Sequence, residues 1–203
     1  VPNFIFSSTA AVYGEDKSNL FGHLSENRPM NAFSVYGYTK QVVEEILGEV
    51  SGMNVMSLRY FNACGRNVEA DLYEEHDPET HLIPLLARSK TATIYGADWP
   101  TRDGTCVRDY VHVIDICKAH LLSYEYMSKK SIPTNDVLNV GSGKGYTVKE
   151  IVDKANEILH NGEMNIEYKE RREGDVAYLV ADTDKIYHML NFTPEYTLDD
   201  ILE

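Results

Sequence analysis

Short, continuous apolar runs alternate along this chain with segments whose apolar residues recur at helical spacing. Apolar and β-favouring residues bounded by polar turns predict strands at residues 4–6, 53–61, 92–95, 137–140 and 165–168, and the first two of these strands are expected to be buried. Helical periodicity predicts helices at residues 34–50, 81–89, 111–127, 147–160, 184–190 and 197–203. Strands that alternate with helices are typical of a parallel sheet, so the sequence predicts an α/β fold.

The helix boundaries and apolar faces can be predicted in more detail. Asn31 or Ser34 can cap the first helix, and Thr147 with Glu150 forms a capping-box pattern at the start of another. The residues predicted to face inward on the two longest helices are Val42, Val43, Ile46 and Leu47, and then Ile114, Cys117, Ala119, Leu121 and Leu122. Residues 63–80 and 99–108 are predicted loops, and the glycines at 141–145 are predicted to form a turn rather than a phosphate-binding loop.

Composition narrows the function classes. The 203 residues carry a net charge of -13, which argues against a nucleic-acid-binding surface but leaves room for a phosphate held by a few arginines. The three cysteines, at 64, 106 and 117, have neither metal-ligand spacing nor a disulfide pattern, so we expect buried, reduced thiols in a cytoplasmic protein. No apolar run approaches the length that a membrane span requires.

A tyrosine and a lysine stand four residues apart at the start of the first long helix. Tyr36 and Lys40 would share one helix face, where the ammonium would lower the pKa of the phenol and make it an acid/base group. The same spacing occurs at Tyr13/Lys17 and Tyr126/Lys130, and any one pair by itself is more typical of a solvated surface. Residues 7–9 (Ser-Ser-Thr) end the first strand at the same crevice, so Thr9, Tyr36 and Lys40 form a candidate triad.

Five segments in order resemble the UDP-glucose 4-epimerase family of the extended short-chain dehydrogenase/reductase superfamily. They are SSTAAVYG at 7–14, YGYTK at 36–40, RYFN at 59–62, DGTCVRDYVHV at 103–113 and RREGD at 171–175, with HLIP at 81–84 as a form common in that family. The resemblance implies part of an NAD-binding Rossmann fold, a doubly wound parallel sheet, with a smaller C-terminal α/β substrate region. It divides the chain into residues 1–61, with the catalytic helix, and 62–203, mainly substrate-binding, with 109–145 returning to the sheet.

The resemblance also implies roles for individual residues. Tyr36 would be the acid/base for the sugar 4-hydroxyl, Lys40 would hold the nicotinamide ribose, and Thr9 would bridge Tyr36 and the sugar. Phe61 would meet the nicotinamide end of NAD through its main chain. The residues implied to bind substrate are Thr9, Tyr36, Asn62, His81, Leu82, Thr93, Ile94, Tyr95, Arg108, Arg172 and Asp175. Among them, Arg108 and Arg172 would clamp the diphosphate, because guanidinium groups donate bidentately to phosphate oxygens.

Two departures from the family pattern stand out. No Gly-x-x-Gly-x-x-Gly turn follows the first strand, although such a turn seats the dinucleotide pyrophosphate, so we expect the family's N-terminal glycine-rich half to be lacking. The resemblance also implies that Leu179 occupies the position that helps to decide whether N-acetylated sugars enter, and a leucine there leaves that choice open.

The function that the resemblance implies is interconversion of UDP-galactose and UDP-glucose through a 4-keto sugar with bound NAD. The alternatives are another UDP-sugar 4-epimerase, for N-acetylhexosamines or pentoses, and a catalytically incompetent fragment. A 4,6-dehydratase is disfavoured because Ala10 and Ala11 follow Thr9 where elimination needs acidic side chains. The family is usually dimeric, so we also expect a homodimer through the helix that contains Tyr36.

Overall fold

The structure, a computed structural model, describes residues 2–14 and 22–202. The strands are β1 (Asn3–Thr9), β2 (Asn54–Tyr60), β3 (Asn62–Cys64), β4 (Thr91–Tyr95), β5 (Val107–His112), β6 (Asn135–Val140), β7 (Gly145–Thr147), β8 (Asn165–Lys169) and β9 (Tyr178–Leu179). The helices are α1 (Val35–Gly48), α2 (Leu82–Arg88), α3 (Val113–Ser128), α4 (Val148–His160), α5 (Asp184–Leu190) and α6 (Leu198–Leu202), with a 3-10 turn at Ala10–Val12. The predicted α/β fold is confirmed, while Lys17 of the Tyr13/Lys17 pair lies outside the described residues.

Three sheets organise these elements. The first has the order β1-β2-β6, and all of its strands run parallel. The second has the order β3-β5-β7 with β9 beside β5, and only the β5–β7 pair is antiparallel. The third is the parallel pair β4-β8. Because β6 follows β5 of the second sheet and yet joins β1 and β2, the chain crosses between the two larger sheets more than once.

The apolar residues form two main cores. One lies between the first sheet and the helices α3 and α5, where Met56, Leu58, Leu138 and Ile186 are fully buried. The other gathers side chains from β4, α2, α4 and α6. The division into two regions, with boundaries at residues 61 and 109–145, stays a prediction.

Local signals predicted several turns and helix starts correctly. The Ser34 hydroxyl accepts a hydrogen bond from the Gly37 N–H at 3.0 Å, and Thr147 and Glu150 form the capping box of α4. The 141–145 segment begins as a turn, as predicted. The buried Asp109 carboxylate holds this turn by accepting hydrogen bonds from the N–H groups of residues 142 and 143, and burial raises the pKa of Asp109.

The strand predictions were incomplete. They missed β3, β5, β7 and β9. Residues 107–112 form strand β5, whereas the sequence predicted the end of a loop and the start of a helix there. The helix α3 accordingly begins at Val113 rather than at residue 111.

The predicted inward faces of the two long helices were partly wrong. On α1, Ile46 is 60% exposed, and Glu44 is buried because Arg59 pairs with it. On α3, Leu121 and Cys117 are exposed. Asp115 is buried there instead, because its carboxylate accepts hydrogen bonds from the N–H groups of residues 195 and 196. Burying a polar group costs little free energy when the group is hydrogen-bonded. Polar residues can therefore occupy buried positions, which a pattern of apolar residues does not reveal.

The cysteines divide by burial. Cys64 and Cys106 are buried, as predicted, and burial raises the pKa of both thiols. Cys117 is exposed, so the prediction of three buried thiols was wrong for it. Among residues 2–14 and 22–202, no helix has the length and apolar character to cross a membrane.

Candidate active site

A cleft of about 780 Å³ opens at the carboxyl ends of β1 and β2. This is the edge at which open α/β sheets bind ligands, and the volume is typical of small-molecule sites. Lys40 lies beside the cleft, and most of the other predicted residues form a second group described below. Six of the predicted site residues line the cleft itself: Thr9, Tyr36, Phe61, Asn62, His81 and Leu82.

Tyr36 reaches the cleft because α1 begins close to the end of β1. Its helix neighbour Gly37 lies so near the chain after β1 that a Cβ there would stand 2.6 Å from the Ala11 carbonyl oxygen. Glycine therefore permits a close approach that any larger residue would prevent. Tyr36 remains 58% exposed, so its phenol is open to a ligand.

A buried ion pair fixes α1 against the sheet. Arg59 on β2 donates to both carboxylate oxygens of Glu44, with Nη2 at 2.6 Å from Oε2, and the hydroxyl of Ser8 also donates to Glu44. The side chains of Arg59 and Glu44 are 4% and 3% exposed. Sequence reasoning missed this network, although an arginine inside an apolar strand signals a buried partner.

Tyr13 completes the same network. The Arg59 guanidinium lies 4.8 Å from the centre of the Tyr13 ring, and the Tyr13 hydroxyl donates to Asn139 Oδ1 at 2.6 Å. Burial raises the pKa of Tyr13 to about 12. Strand β2, the segment after the 3-10 turn and β6 are thereby tied to one another beneath the cleft.

Lys40 lies one turn after Tyr36, as the spacing predicts. Its Nζ donates to the Ser7 carbonyl oxygen at 2.9 Å and lies 5.9 Å from the centre of the Tyr36 ring. It also lies 5.0 Å from the centre of the Phe6 ring. The hydroxyl of Thr9, the phenol of Tyr36 and the ammonium of Lys40 thus stand near the end of β1, a donor set that suits a ribose and a second hydroxyl-bearing ligand.

Tyr60 adds a polar group that the sequence did not suggest. It lines the cleft, and its hydroxyl forms hydrogen bonds with Ser7 Oγ and His120 Nε2, each at 2.8 Å. Burial raises the pKa of Tyr60. Two residues further along the chain, Asn62 Nδ2 donates to the Asp109 carbonyl oxygen at 2.8 Å and so fixes the cleft wall against β5.

The second group of predicted residues surrounds residues 171–175. Arg108 forms an ion pair with Asp175, with Nη2 and Oδ1 3.2 Å apart, and its Nη1 donates to the Val176 carbonyl oxygen. The guanidinium of Arg172 lies 3.9 Å from the centre of the Tyr95 ring and lowers the pKa of Tyr95 through a side-chain hydrogen bond. Tyr95, Arg108 and Arg172 were all predicted from the sequence as nucleotide-binding residues. In the structure Arg108 pairs with Asp175, and Arg172 lies over the Tyr95 ring.

The two residues that precede Tyr95 on β4 differ in access. Thr93 is partly exposed. Ile94 is fully buried in the second core. Only the backbone of Ile94 is therefore placed to contact a ligand, and its side chain acts in packing.

Leu179 connects the arginine group with the cleft. It pairs with Arg108 in the register of β9 and β5. Its side chain packs against the hydrophobic cluster that contains Phe61, which itself lines the cleft. Leu179 therefore stands between the two groups of predicted site residues, although this position does not by itself decide which sugars enter.

Comparisons with known proteins identify relatives of this chain. A family model described as GDP-mannose 4,6 dehydratase matches residues 2–203. The UDP-glucose 4-epimerase of Rhizobium meliloti (strain 1021) is 41% identical over 208 residues, which cover 98% of this chain and 62% of the relative. The chain spans about 62% of the length of this relative and of the UDP-glucose 4-epimerase of Rhizobium leguminosarum bv. trifolii, to which it is also 41% identical.

Solved structures of UDP-glucose 4-epimerases are also similar to this chain. The UDP-glucose 4-epimerase of Brucella ovis in complex with NAD is 37% identical with a TM-score of 0.86, and the match covers 98% of this chain and 62% of that one. The UDP-glucose-4-epimerase of Stenotrophomonas maltophila, with bound NAD and formylated UDP-arabinopyranose, is 31% identical with a TM-score of 0.88. That match covers 100% of this chain and 61% of the other.

Proposed function

Because the chain belongs to the family whose model is described as GDP-mannose 4,6 dehydratase, and its relatives include UDP-glucose 4-epimerases, we propose that the protein is an NAD-dependent UDP-glucose 4-epimerase. The observation that carries the proposal is the placement of Thr9 and Tyr36 on the wall of one cleft, with the Lys40 ammonium 5.9 Å from the centre of the tyrosine ring. A hydroxyl, a phenol and a cation at one strand end are what reversible oxidation of a sugar hydroxyl requires.

In the proposed reaction, Tyr36 removes the proton of the sugar 4-hydroxyl while hydride leaves C4, and a 4-keto sugar forms. The sugar then turns in the cleft, hydride returns to the opposite face of C4, and Tyr36 gives the proton back. Thr9 orients the hydroxyl, and the positive charge of Lys40 stabilises the negative charge on the tyrosine oxygen. When bound, NAD supplies the acceptor and donor of the hydride.

The residues that would hold NAD fit its nicotinamide-ribose end. The vicinal hydroxyls of the ribose would accept hydrogen bonds from Lys40 and share hydrogen bonds with Tyr36 and Thr9, and Phe61 lines the same cleft as Thr9 and Tyr36. The Lys40 ammonium already donates to the Ser7 carbonyl oxygen at 2.9 Å, which leaves two of its three donors for a ligand.

For the nucleotide half of the substrate, we propose the arginine group. Arg108 and Arg172 would bind the diphosphate, and Asp175 would bind the uridine ribose. Tyr95 would stack near the uracil, because its ring already accepts a planar cation on one face. The Thr93 hydroxyl and the backbone of the following residue would complete the uracil pocket.

Three further predicted residues, Asn62, His81 and Leu82, line the cleft. Asn62 would contact the sugar or the diphosphate, and His81 and Leu82 would line the uridine pocket. The nucleotide would then be held by charged groups and a stacked ring, and the sugar by hydroxyls in a wide space. Binding that is firm at the nucleotide and loose at the sugar permits the turn that epimerisation needs.

Two alternatives to a UDP-glucose 4-epimerase are another UDP-sugar 4-epimerase and a catalytically incompetent fragment. A UDP-sugar 4-epimerase acting on N-acetylhexosamines or pentoses would use the same triad, and the pentose derivative bound to the relative from Stenotrophomonas maltophila gives a reason to test that class. A catalytically incompetent fragment would bind UDP without turnover. A dehydratase, despite the description of the family model, is disfavoured because Ala10 and Ala11, which follow Thr9, supply no acid for elimination.

We also propose a homodimer through α1. Exposed apolar side chains stand on α1, where Val35 and Ile46 are 84% and 60% exposed. Large apolar groups left exposed on a helix are typical of a protein interface. A cytoplasmic location remains a prediction from the cysteine pattern.

The experiment that tests the proposed function is product analysis by NMR. UDP-galactose, UDP-N-acetylgalactosamine and UDP-xylose are incubated separately with the protein, first without and then with added NAD. We expect UDP-glucose from UDP-galactose as the fastest conversion. A faster conversion of either other sugar would support the corresponding alternative, and absence of all conversion alongside measurable UDP binding would support the incompetent fragment.

A further inference from the structure

Two histidines and two glutamates meet in the segment that precedes α2. Glu74, His76, Glu79 and His81 each offer one ligand atom, and these four atoms all lie within 4.8 Å of one another. Glu74, His76 and His81 also line the cleft. Contacts within the group are close, because His76 Nδ1 lies 3.5 Å from Glu74 Oε1 and 3.4 Å from Glu79 Oε1, and His81 Nδ1 contacts Glu74 Oε1.

Glu79 supplies an independent sign that the cluster lacks a partner. Its side chain is only 8% exposed, and Oε1 accepts hydrogen bonds from the N–H groups of Thr80 and His81. Its other oxygen, Oε2, is buried without a hydrogen-bond partner among residues 2–14 and 22–202. A carboxylate oxygen shielded from water and left unpaired is costly, and a cation beside it would remove that cost.

We propose that Glu74, His76, Glu79 and His81 bind one divalent transition-metal ion of the zinc class at the rim of the cleft. Two imidazole nitrogens and two carboxylate oxygens are a set that Zn²⁺ and Co²⁺ accept, whereas Mg²⁺ and Ca²⁺ prefer oxygen ligands throughout. Ligands of a tetrahedral zinc ion lie roughly 3.4 Å apart. The four ligand atoms lie within 4.8 Å of one another, so metal binding requires the side chains to move closer together. The side chains of His76 and His81 are 47% and 59% exposed and have room for this movement.

The charge of the group agrees with this site. Where both imidazoles are uncharged, the two carboxylates give the cluster two negative charges, which a divalent ion balances. The rings of His76 and His81 already meet edge to face, with their centres 4.9 Å apart, so both can turn a nitrogen toward a common point. Since His81 is the N-cap residue of α2 and makes no side-chain cap hydrogen bond, its imidazole is available for this role.

The test measures metal binding directly and does not depend on catalysis. Chelator-treated protein is titrated with Zn²⁺ against a competing chromophoric chelator, and separately with Co²⁺ while the visible spectrum is recorded. We expect one Zn²⁺ per chain and the intense visible absorption of four-coordinate Co²⁺. His76→Gln and Glu79→Gln should each weaken Zn²⁺ binding by at least about tenfold, since loss of an outer-shell partner alone has an effect of that size.

The matched control is His188→Gln, which removes another exposed histidine, on α5, outside the cluster. It should leave the affinity unchanged, and circular dichroism checks that every variant is folded. The proposal is overturned if the wild-type protein binds no Zn²⁺, or if folded His76→Gln and Glu79→Gln proteins bind it as tightly as the wild type. The second result would assign the ion to another site, such as the exposed thiol of Cys117.

Discussion

The two groups of predicted site residues, here called the tyrosine side and the arginine side, are held in different ways. The tyrosine side, formed by β1, α1 and β2, rests on the buried contacts of Glu44 with Arg59 and Ser8. The arginine side, formed by the end of β4, β5 and residues 171–175, rests on contacts nearer the surface, and Arg172 itself is exposed. Buried, multiply bonded pairs define one geometry, while exposed pairs exchange partners at little cost. The difference indicates that the tyrosine side is preformed and that the arginine side is adaptable.

The largest expected effect is on catalysis at the tyrosine side. Tyr36→Phe removes the oxygen that exchanges the proton of the sugar hydroxyl in the proposed reaction, so turnover should fall roughly a hundredfold to ten-thousandfold. UDP affinity, measured by calorimetry, should change little. Tyr38→Phe is the matched control, because Tyr38 is equally exposed on α1 but does not line the cleft. Near-wild-type turnover of Tyr36→Phe would contradict the assignment.

The next effect is on stability. Glu44→Gln leaves the Arg59 guanidinium buried without a full counter-charge, so the free energy of unfolding should fall by about 3 kcal/mol in chemical denaturation. Glu163→Gln is the control, because Glu163 pairs with Lys90 at 3.3 Å on the surface, with 70% and 74% of the two side chains exposed. That change should cost less than about 0.5 kcal/mol. Equal losses would remove the distinction between buried and exposed pairs.

These two predictions differ in how far the sequence supports them. Tyr36 and Lys40 could be predicted because helix periodicity alone places residues four apart on one face, and Thr9 could be predicted because it follows a continuous apolar strand. Glu44 and Arg59 could not, since their burial depends on each other across 15 residues of chain. The arginine inside the apolar strand was nevertheless a signal that a partner must exist.

The fold shows the same limit. Strand β1 contains a continuous apolar run, β2 has Val55, Met56, Leu58 and Tyr60 separated only by single polar residues, and α4 carries its own capping box, so local sequence predicts all three. Strand β5 contains Arg108 and Asp109, whose side chains are satisfied by Asp175 and by the backbone of residues 142, 143 and 181. Polar residues with such distant partners interrupt the apolar pattern, and therefore β5 and its short neighbours β7 and β9 could not be recognised from local sequence.

A third prediction concerns pH and again probes the tyrosine side. The phenol pKa of Tyr13 is raised from 10.0 to about 12 in the folded protein, because burial favours the protonated phenol. Its contribution to stability is fully present below pH 10 and is lost as the pH rises toward 12, for a total of between about 2 and 3 kcal/mol. Unfolding free energies measured from pH 8 to about 12 should therefore decline less steeply in Tyr13→Phe than in the wild type. Parallel curves would contradict the burial of this phenol.

The smallest expected effect lies on the arginine side. Arg172→Ala should weaken UDP binding about tenfold in calorimetry, because it removes one charge-assisted contact to the diphosphate, while thermal stability should hardly change. Arg171→Ala is the control, since Arg171 is engaged with Asp98, with Nε and Oδ1 2.7 Å apart, and lies over Trp99. A larger loss of UDP affinity in Arg171→Ala would exchange the roles of the two arginines.

The most direct test of the central claim follows the hydrogen at C4 of the sugar. UDP-galactose that carries deuterium at C4 is incubated with the protein, and the UDP-glucose formed is analysed by NMR and mass spectrometry. The account predicts inversion at C4 with the deuterium retained there, because hydride that leaves C4 returns to C4 while Tyr36 exchanges only the hydroxyl proton. Formation of UDP-glucose in which solvent hydrogen has replaced the deuterium at C4 would contradict the account.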